Sequence, residues 1–366
     1  MKKGHLLPAQ EGVSQAVAGF LKRCLEEKIF DAVVAPLDSH AGYNYVLLDD
    51  GELLDKVVAM PPVMPVQGAK AVQSLTHHGN SKKIAVVMRL CEIRAAVELS
   101  KLRQTDLENV FFIGVDCSGV IPLPDYLERA RDKPKDTELM LRPLCQVCED
   151  FSLAGNDRVT VVDLHVGTMG LGDSSALLIP SSAAGEDVLR QLGMDSKPVE
   201  EVNQWSTKVG VIRNERRKAR KEALADIKKK VSGLEGLLEV FSQCIECHNC
   251  QSVCPICYCR LCFADKGTSA DTADDYLQRA NVAGAVRHLP EPLLFHLGRM
   301  AHMSLSCVSC GMCEDVCPVS IPVGRVVSLV SEETRGIFDY MPGRSVEEEL
   351  PLARFELEEL TEVEDV

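Results

Sequence analysis

The sequence predicts two kinds of architecture in one chain, an α/β domain at the N-terminus and an all-α, cysteine-rich domain toward the C-terminus. Three observations carry this. Short β-branched apolar runs alternate with amphipathic helical stretches over residues 13–115. Two cysteine runs of identical spacing follow, Cys244-x2-Cys247-x2-Cys250-x3-Cys254-Pro255 and Cys307-x2-Cys310-x2-Cys313-x3-Cys317-Pro318. The long spacer between them, residues 255–306, is helical rather than β in pattern.

Composition narrows the class. A chain of 366 residues is long enough for two or three domains with their own cores. Its 16 cysteines would suggest disulfides in a secreted protein. The N-terminus, however, shows no apolar run before a cleavage site, and no stretch of eighteen or so apolar residues occurs. A cytoplasmic, reducing setting with no membrane span is expected, where clustered cysteines bind metal. The net charge of −14 and the single tryptophan, Trp205, argue against nucleic acid as a partner.

The elements follow in order. Val13–Lys28 places Val13, Val17, Phe20, Leu21 and Leu25 at helical spacing, with Cys24 in its core face. Ile29–Leu37 reads as a buried strand ended by Pro36 and the Asp38-Ser39 turn. Short strands are expected at Tyr45–Leu48 and Lys56–Met60, and a helix at Lys70–His78. Ile84–Met88 is a strand that feeds Leu90-Cys91 and a helix over Glu92–Leu102. Val110–Val115 is the next strand, ending at Asp116-Cys117. The alternation predicts a mostly parallel sheet. No G-x-G-x-x-G stands between strand and helix, so a Rossmann-type NAD site has no support.

The cysteine runs carry the chemistry. A cubane iron–sulfur cluster needs four converging thiolates. The run C-x2-C-x2-C-x3-C-P supplies three, its fourth cysteine ligating the other cluster. This groups Cys244, Cys247, Cys250 and Cys317 on one 4Fe–4S cluster, and Cys307, Cys310, Cys313 and Cys254 on a second. Zinc is the alternative, but zinc sites pair two C-x2-C knuckles and need neither a third cysteine nor the proline. Cys91 and Cys117 each follow a predicted strand, at the edge of an open α/β sheet where ligands bind. With Cys145-x-x-Cys148 they make four thiolates, enough for a third cluster. A lone C-x-x-C also fits zinc, redox or core roles. Cys257, Cys259 and Cys262 crowd behind Cys254. They could hold a fourth cluster or a zinc, with Cys24, a histidine such as His296, or a partner chain completing the set.

Leu90-Cys91-Glu92-Ile93-Arg94-Ala95 resembles the G-x-P-C-[QE]-I-R-A-L stretch of the beta subunits of coenzyme F420 hydrogenases and dehydrogenases, the formate dehydrogenases among them. Ile113–Cys117 resembles their G-L-F-C. Cys145-Gln-Val-Cys148-Glu149-Asp150-Phe151 and Asp163–Gly167 resemble C-R-x-C-x-D-F and A-D-I-x-x-G. Gly68–Ser74 resembles G-S-K-Y-V-x-S, and Gly12-Val13 with Glu26–Asp31 resembles G-G-V-V and E-E-G-I-I-D. The likeness spans residues 10–185. It implies FAD, coenzyme F420 as a possible substrate, and one 4Fe–4S cluster on Cys91, Cys117, Cys145 and Cys148. It also implies that Gly12, Lys70, Gly170, Gly172, Ser174 and Ser175 lie near the flavin, where glycine permits close backbone approach. The sequence departs at Glu11, where the family has glycine, at Leu90 for proline, and at Ala71 for tyrosine. The C-terminal run, with its wide spacer, resembles the α-helical ferredoxin domains of heterodisulfide reductase and succinate dehydrogenase iron–sulfur subunits.

Residues 1–188 are therefore expected to form the flavin and iron–sulfur domain, and residues 237–335 an α-helical ferredoxin domain. Residues 189–236 read as a bridge whose basic run, Arg213–Lys230, is a linking helix or a docking face for an acidic partner. Residues 336–366 read as an acidic tail. The expected role is a flavin and iron–sulfur electron-transfer subunit with three clusters and a potential fourth. It would serve a formate dehydrogenase, hydrogenase or heterodisulfide-reductase-type complex. The departures at Glu11, Leu90 and Ala71 support a second reading, a flavin-free electron wire with no substrate of its own.

Overall fold

The computed structural model of the chain describes residues 3–39, 42–132, 140–172, 174–259, 262, 273–284 and 291–353. Asp173, parts of the 255–306 spacer and the acidic tail beyond residue 353 lie outside these.

The strands are β1 (His5–Pro8), β2 (Ala32–Ser39), β3 (Gly42–Leu48), β4 (Ile84–Arg89), β5 (Val110–Val115), β6 (Leu164–Gly167) and β7 (Ser175–Pro180). They form a sheet in the order β1-β7-β6-β5-β4-β2-β3. The centre, β2-β4-β5-β6, is parallel, with Val34 opposite Val86, Val86 opposite Phe112 and Ile113 opposite Leu164. Both edges are antiparallel, β3 on β2 at one side and β7 and β1 on β6 at the other. The sheet is thus mixed rather than mostly parallel. The connections β2–β3 and β6–β7 are too short for a crossover and return the chain alongside itself.

Helix α1 (Val13–Glu26) covers one face, and α2 (Gly68–Thr76) with α3 (Leu90–Lys101) covers the other. Val33 and Ala35 point to the first core, Ala32 and Val34 to the second. A strand buried on both sides cannot alternate with polar residues, which is why it reads as one apolar run. Lys56–Met60 is not a strand. One 3-10 turn at Leu54–Lys56 and a single Leu37–Val57 bridge replace it, with Val57 and Ala59 buried as loop anchors. Their apolarity serves core packing, and Pro61-Pro62 stops any ladder from extending.

Short helices α4 (Leu123–Asp132) and α5 (Pro143–Gln146) follow β5, and α6 (Ala183–Gln191) follows β7. Helix α7 (Glu200–Lys230) then runs 31 residues. Its first half, which shows little pattern in the sequence, buries Val202, Trp205 and Val209 against Leu177 and Ile179 of β7. Those three sit at i, i+3 and i+7, diluted by polar neighbours. The basic half is largely engaged within the chain. Arg213 donates to the carbonyls of Glu149, Ser152 and Ala154, Arg217 pairs with Glu149, and Arg220 pairs with Glu332.

The C-terminal region is helical, comprising α8 (Gly233–Phe241), α9 (Asn249–Ser252), α10 (Ala273–Ala283), α11 (Glu291–Met303), α12 (Met312–Asp315) and α13 (Val323–Phe338). It packs on the α2–α3 side of the sheet through Tyr258, Val308 and Cys310. An ion pair of 2.6 Å between Arg142 and Asp315, each side chain only 1% exposed, closes the contact. After α13 the chain turns back as a strap. The Tyr340 hydroxyl and the Gly343 N–H both donate to the buried Glu98 Oε1, at 2.6 and 2.7 Å. At Gly343, with φ +76°, a Cβ would lie 2.4 Å from the backbone of Arg94, so the strap requires glycine there.

Candidate functional site

The two cysteine runs fold alike. Glu246 and Ser309, each two residues past the first cysteine, have φ of 54° and 56°. His248 and Gly311, each one past the second cysteine, have φ of 54° and 79°. Four left-handed residues at matching positions bend both runs the same way, a conformation glycine takes freely and the others take at a cost. The third cysteine of each run, Cys250 or Cys313, sits on a single helical turn, and those turns, α9 and α12, pack on each other.

That packing exchanges the fourth cysteines. Burial raises the Cys250 thiol, Arg299 opposes the rise, and Cys244, Cys247 and Cys317 add to it. Burial also raises Cys244, opposed by the Glu246 N–H, with Cys247 and Cys317 adding. Burial pushes Cys313 well above the usual thiol range, opposed by Arg299, with Cys254, Cys310 and Cys307 adding. Each group thus takes three cysteines from one run and one from the other.

A third group forms at the sheet. Cys91 lies in the first turn of α3, Cys117 just past β5, Cys145 on α5 and Cys148 just after it. The four line one cavity together with Cys310 of the C-terminal pair. Burial raises Cys148 to about 12, and Asp150, Cys145 and Cys117 add to the rise. Buried thiols that raise one another become thiolates only opposite positive charge, which a bound metal supplies. Among the described residues no three His, Cys, Asp or Glu side chains close on the spacing a single ion needs. Each set offers four thiols, a donor set that an iron–sulfur cluster takes.

The motifs around these cysteines hold the site in place. Glu92, fully buried, accepts from the N–H of Gly68 and Arg89 and from the Tyr45 hydroxyl, fixing α2 and β3 to the start of α3. Arg94 donates to Asp150 at 2.7 Å, tying α3 to the loop after Cys148. Asp116 accepts from His165, Trp205 and the N–H groups of Thr168 and Met169, which anchors the loop after β6. Burial works to raise the Asp116 carboxyl, but the hydrogen bonds from His165, Ser152 and Thr168 hold it below the usual range.

The residues expected near a flavin divide. The C-terminal ends of β1 and β6 and the N-terminal end of β7 share the sheet edge that also carries Cys91 and Cys117. Gly12, Ser174 and Ser175 meet there, with Ala9 N–H donating to Ser174 O at 2.8 Å. Gly12 (φ +102°) and Gly172 (φ +76°) have open space where a side chain would project. Gly170 instead packs against Lys208 of α7. Lys70 stands on the other face, its ammonium donating to Ser252 O at 2.5 Å. The structure does not bring it to the others.

Cys257, Cys259 and Cys262 line a separate cavity of 410 Å³ with His302, Arg299 and Met303. Neither Cys24 nor His296 lines it, and the histidine that does is His302. Cys24 lies in the core under α1, pushed to about 12 by burial, and His296 stacks on Phe241 at 4.1 Å. Sequence reasoning missed Arg142, Asp116, Trp205 and Arg299 as site residues. Trp205, the one tryptophan in an otherwise polar stretch, was a usable signal, whereas Arg299 carried none.

Residues 240–321 match the model of the 4Fe-4S dicluster domain. The chain is 26% identical to the F420-dependent formate dehydrogenase subunit beta of Methanocaldococcus jannaschii, over 92% of this chain and 93% of that protein. It is 28% identical to the F420-dependent formate dehydrogenase 1 subunit beta of Methanococcus maripaludis, over 92% of each. These beta subunits are its homologues. The likeness read from five short motifs thus extends along nearly the whole chain of these formate dehydrogenase beta subunits. A solved structure of the F420-reducing nickel–iron hydrogenase complex from Methanosarcina barkeri, a xenon derivative, aligns with a TM-score of 0.49 and 15% identity, covering 64% of this chain and 94% of that one. The homologues are oxidoreductase subunits. Among the described residues no helix is long and apolar enough to cross a membrane.

Proposed function

We propose that the chain is the flavin and iron–sulfur beta subunit of a formate-dehydrogenase-type complex, carrying electrons through three 4Fe–4S clusters. One observation carries this reading. Cys310 of the C-terminal pair lies in the wall of the cavity formed by Cys91, Cys117, Cys145 and Cys148, so the sheet group and the helical groups are neighbours. Thiolates of Cys244, Cys247, Cys250 and Cys317, and of Cys254, Cys307, Cys310 and Cys313, would hold the other two clusters. In this reading a flavin domain runs to about residue 188, with the start of α7 packed on it, and an α-helical ferredoxin domain spans 237–335.

Gly12, Gly172, Ser174 and Ser175 would hold FAD at the sheet edge, where positive φ and open space let a cofactor approach the backbone. A bound flavin supplies the exchange between two-electron hydride chemistry and one-electron transfer. The chain's part is to shield the sulfurs and set spacing, with Arg142 on Asp315 and Glu98 under Tyr340 and Gly343 locking the two regions. Coenzyme F420, named for the homologues, is the proposed hydride partner. Cys257, Cys259 and Cys262 are the place where a fourth metal group would sit.

Anaerobic purification with iron, sulfide, zinc and flavin quantified tests the reading. Three clusters require about twelve irons per chain, one extractable FAD, and a broad visible absorbance that dithionite bleaches. Iron well above that number assigns the Cys257 cavity a cluster. Full iron without flavin leaves the electron-wire reading, and zinc as the sole metal sinks both.

A further inference from the structure

Arg299, on α11, is 5% exposed. Its Nη1 donates to Cys250 Sγ at 2.9 Å and its Nη2 to Cys250 O at 3.0 Å, while its Nε has no partner. Among the described residues no carboxylate pairs with it. Met303 Sδ, 3.7 Å from Nη2, also lies 3.8 Å from Cys254 Sγ. Burial works to lower the pKa of this guanidinium, yet the sulfurs of Cys250, Cys313, Cys257 and Cys254 outweigh it.

A buried arginine without countercharge is costly, and breaking a buried pair strands the remaining charge. Among the described residues the anionic atoms that act on it are the sulfurs of Cys250, Cys313, Cys257 and Cys254, and all but Cys257 belong to the two C-terminal groups. Cys250 belongs to one, Cys254 and Cys313 to the other. A fixed positive charge between two clusters favours the more negative, reduced state of each. An N–H···S hydrogen bond acts in the same direction.

We infer that Arg299 is a positioning and tuning residue shared by the two C-terminal clusters, a buried charge that raises the reduction potential of both. The inference rests on the reading that both groups hold 4Fe–4S clusters. Arg299 touches a ligand sulfur and acts through it.

The test uses the full chain purified anaerobically as wild type, Arg299→Gln and Arg299→Lys. Iron and sulfide are counted, and the clusters are followed by paramagnetic resonance during redox titration. Arg299→Gln is expected to lower the reduction equilibrium constant of the C-terminal clusters roughly tenfold, about 59 mV for a one-electron couple. The cluster at Cys91–Cys148 serves as an unmoved reference. Arg299→Lys keeps the charge but not the bond to Cys250, so a smaller fall, roughly threefold, is expected. A Gln variant with full iron and unshifted midpoints overturns the inference, as does a Lys variant that shifts as far as Gln. If Gln fails to hold iron, Lys decides alone: an intermediate fall supports the inference and no fall overturns it. Wild-type protein without the C-terminal cluster signals would instead sink the underlying reading.

Discussion

The sheet group and the C-terminal groups gather cysteines in opposite ways. In the C-terminal region the backbone itself does it, since matching left-handed residues at 246 and 309, and at 248 and 311, curl each run around its own sulfurs. At the sheet, Cys91, Cys117, Cys145 and Cys148 arrive from a helix start, a strand end and a loop, and only the finished sheet brings them together. The C-terminal turns rest on a core of their own, Phe241, Ile256, Met303, Ile321 and Val326 among it, but the cysteines of both groups are part of that core's packing. Convergence at a strand edge is inherited from a sheet with an apolar core on both faces. The two regions should therefore fail differently.

The largest expected effect follows from stripping iron with a chelator under reducing conditions. The C-terminal turns α9 and α12 should lose protection from hydrogen exchange while β4 and β5 keep theirs, because metal binding and folding are coupled only where the site is the fold. Equal loss in both regions would erase the contrast. Next is the joint between them. Arg142→Met leaves Asp315 charged and buried, and is expected to cost about 3–5 kcal/mol in denaturant unfolding. A change below about 1 kcal/mol would mean that the regions are not locked by this pair.

The smallest effect is a pH dependence confined to the C-terminal region. Burial, with Arg299 and His248 nearby, lowers His296 from 6.5 to about 4. The folded chain thus favours neutral imidazole, while the unfolded chain takes a proton at a higher pH. Stability from this residue is present above about 6.5 and declines as pH falls toward 4. His296→Phe should flatten that slope in thermal melts between these pH values, and an unchanged slope would reject the assignment.

What could be seen in the sequence tracks the same contrast. Val110–Val115 matches its strand residue for residue because six apolar residues bounded by Asn109 and Asp116 fit little else. The grouping of the C-terminal cysteines is legible in their spacing, since three of the four in each group lie in one run. Lys56–Met60 misled because loop anchors such as Val57 are as apolar as strand residues. Arg299 and Arg142 could not be seen at all. Their importance comes from which sulfur, carbonyl or carboxylate the fold places beside them, and nothing local in their neighbours encodes that.

The crossing of the fourth cysteines bears on synthesis. Cys244, Cys247, Cys250 and Cys254 are made well before Cys317, which stands beside Cys244 and Cys250 in the fold. At roughly 5–20 residues per second, the stretch between Cys254 and Cys317 takes about 3–13 s to emerge from the ribosome. For that interval four thiols wait with neither C-terminal group of cysteines complete, while the sheet group has all four of its cysteines once Cys148 appears. The C-terminal pair is thus the part of the nascent chain most dependent on an oxygen-poor setting, or on a chaperone that shields thiols until the second run arrives.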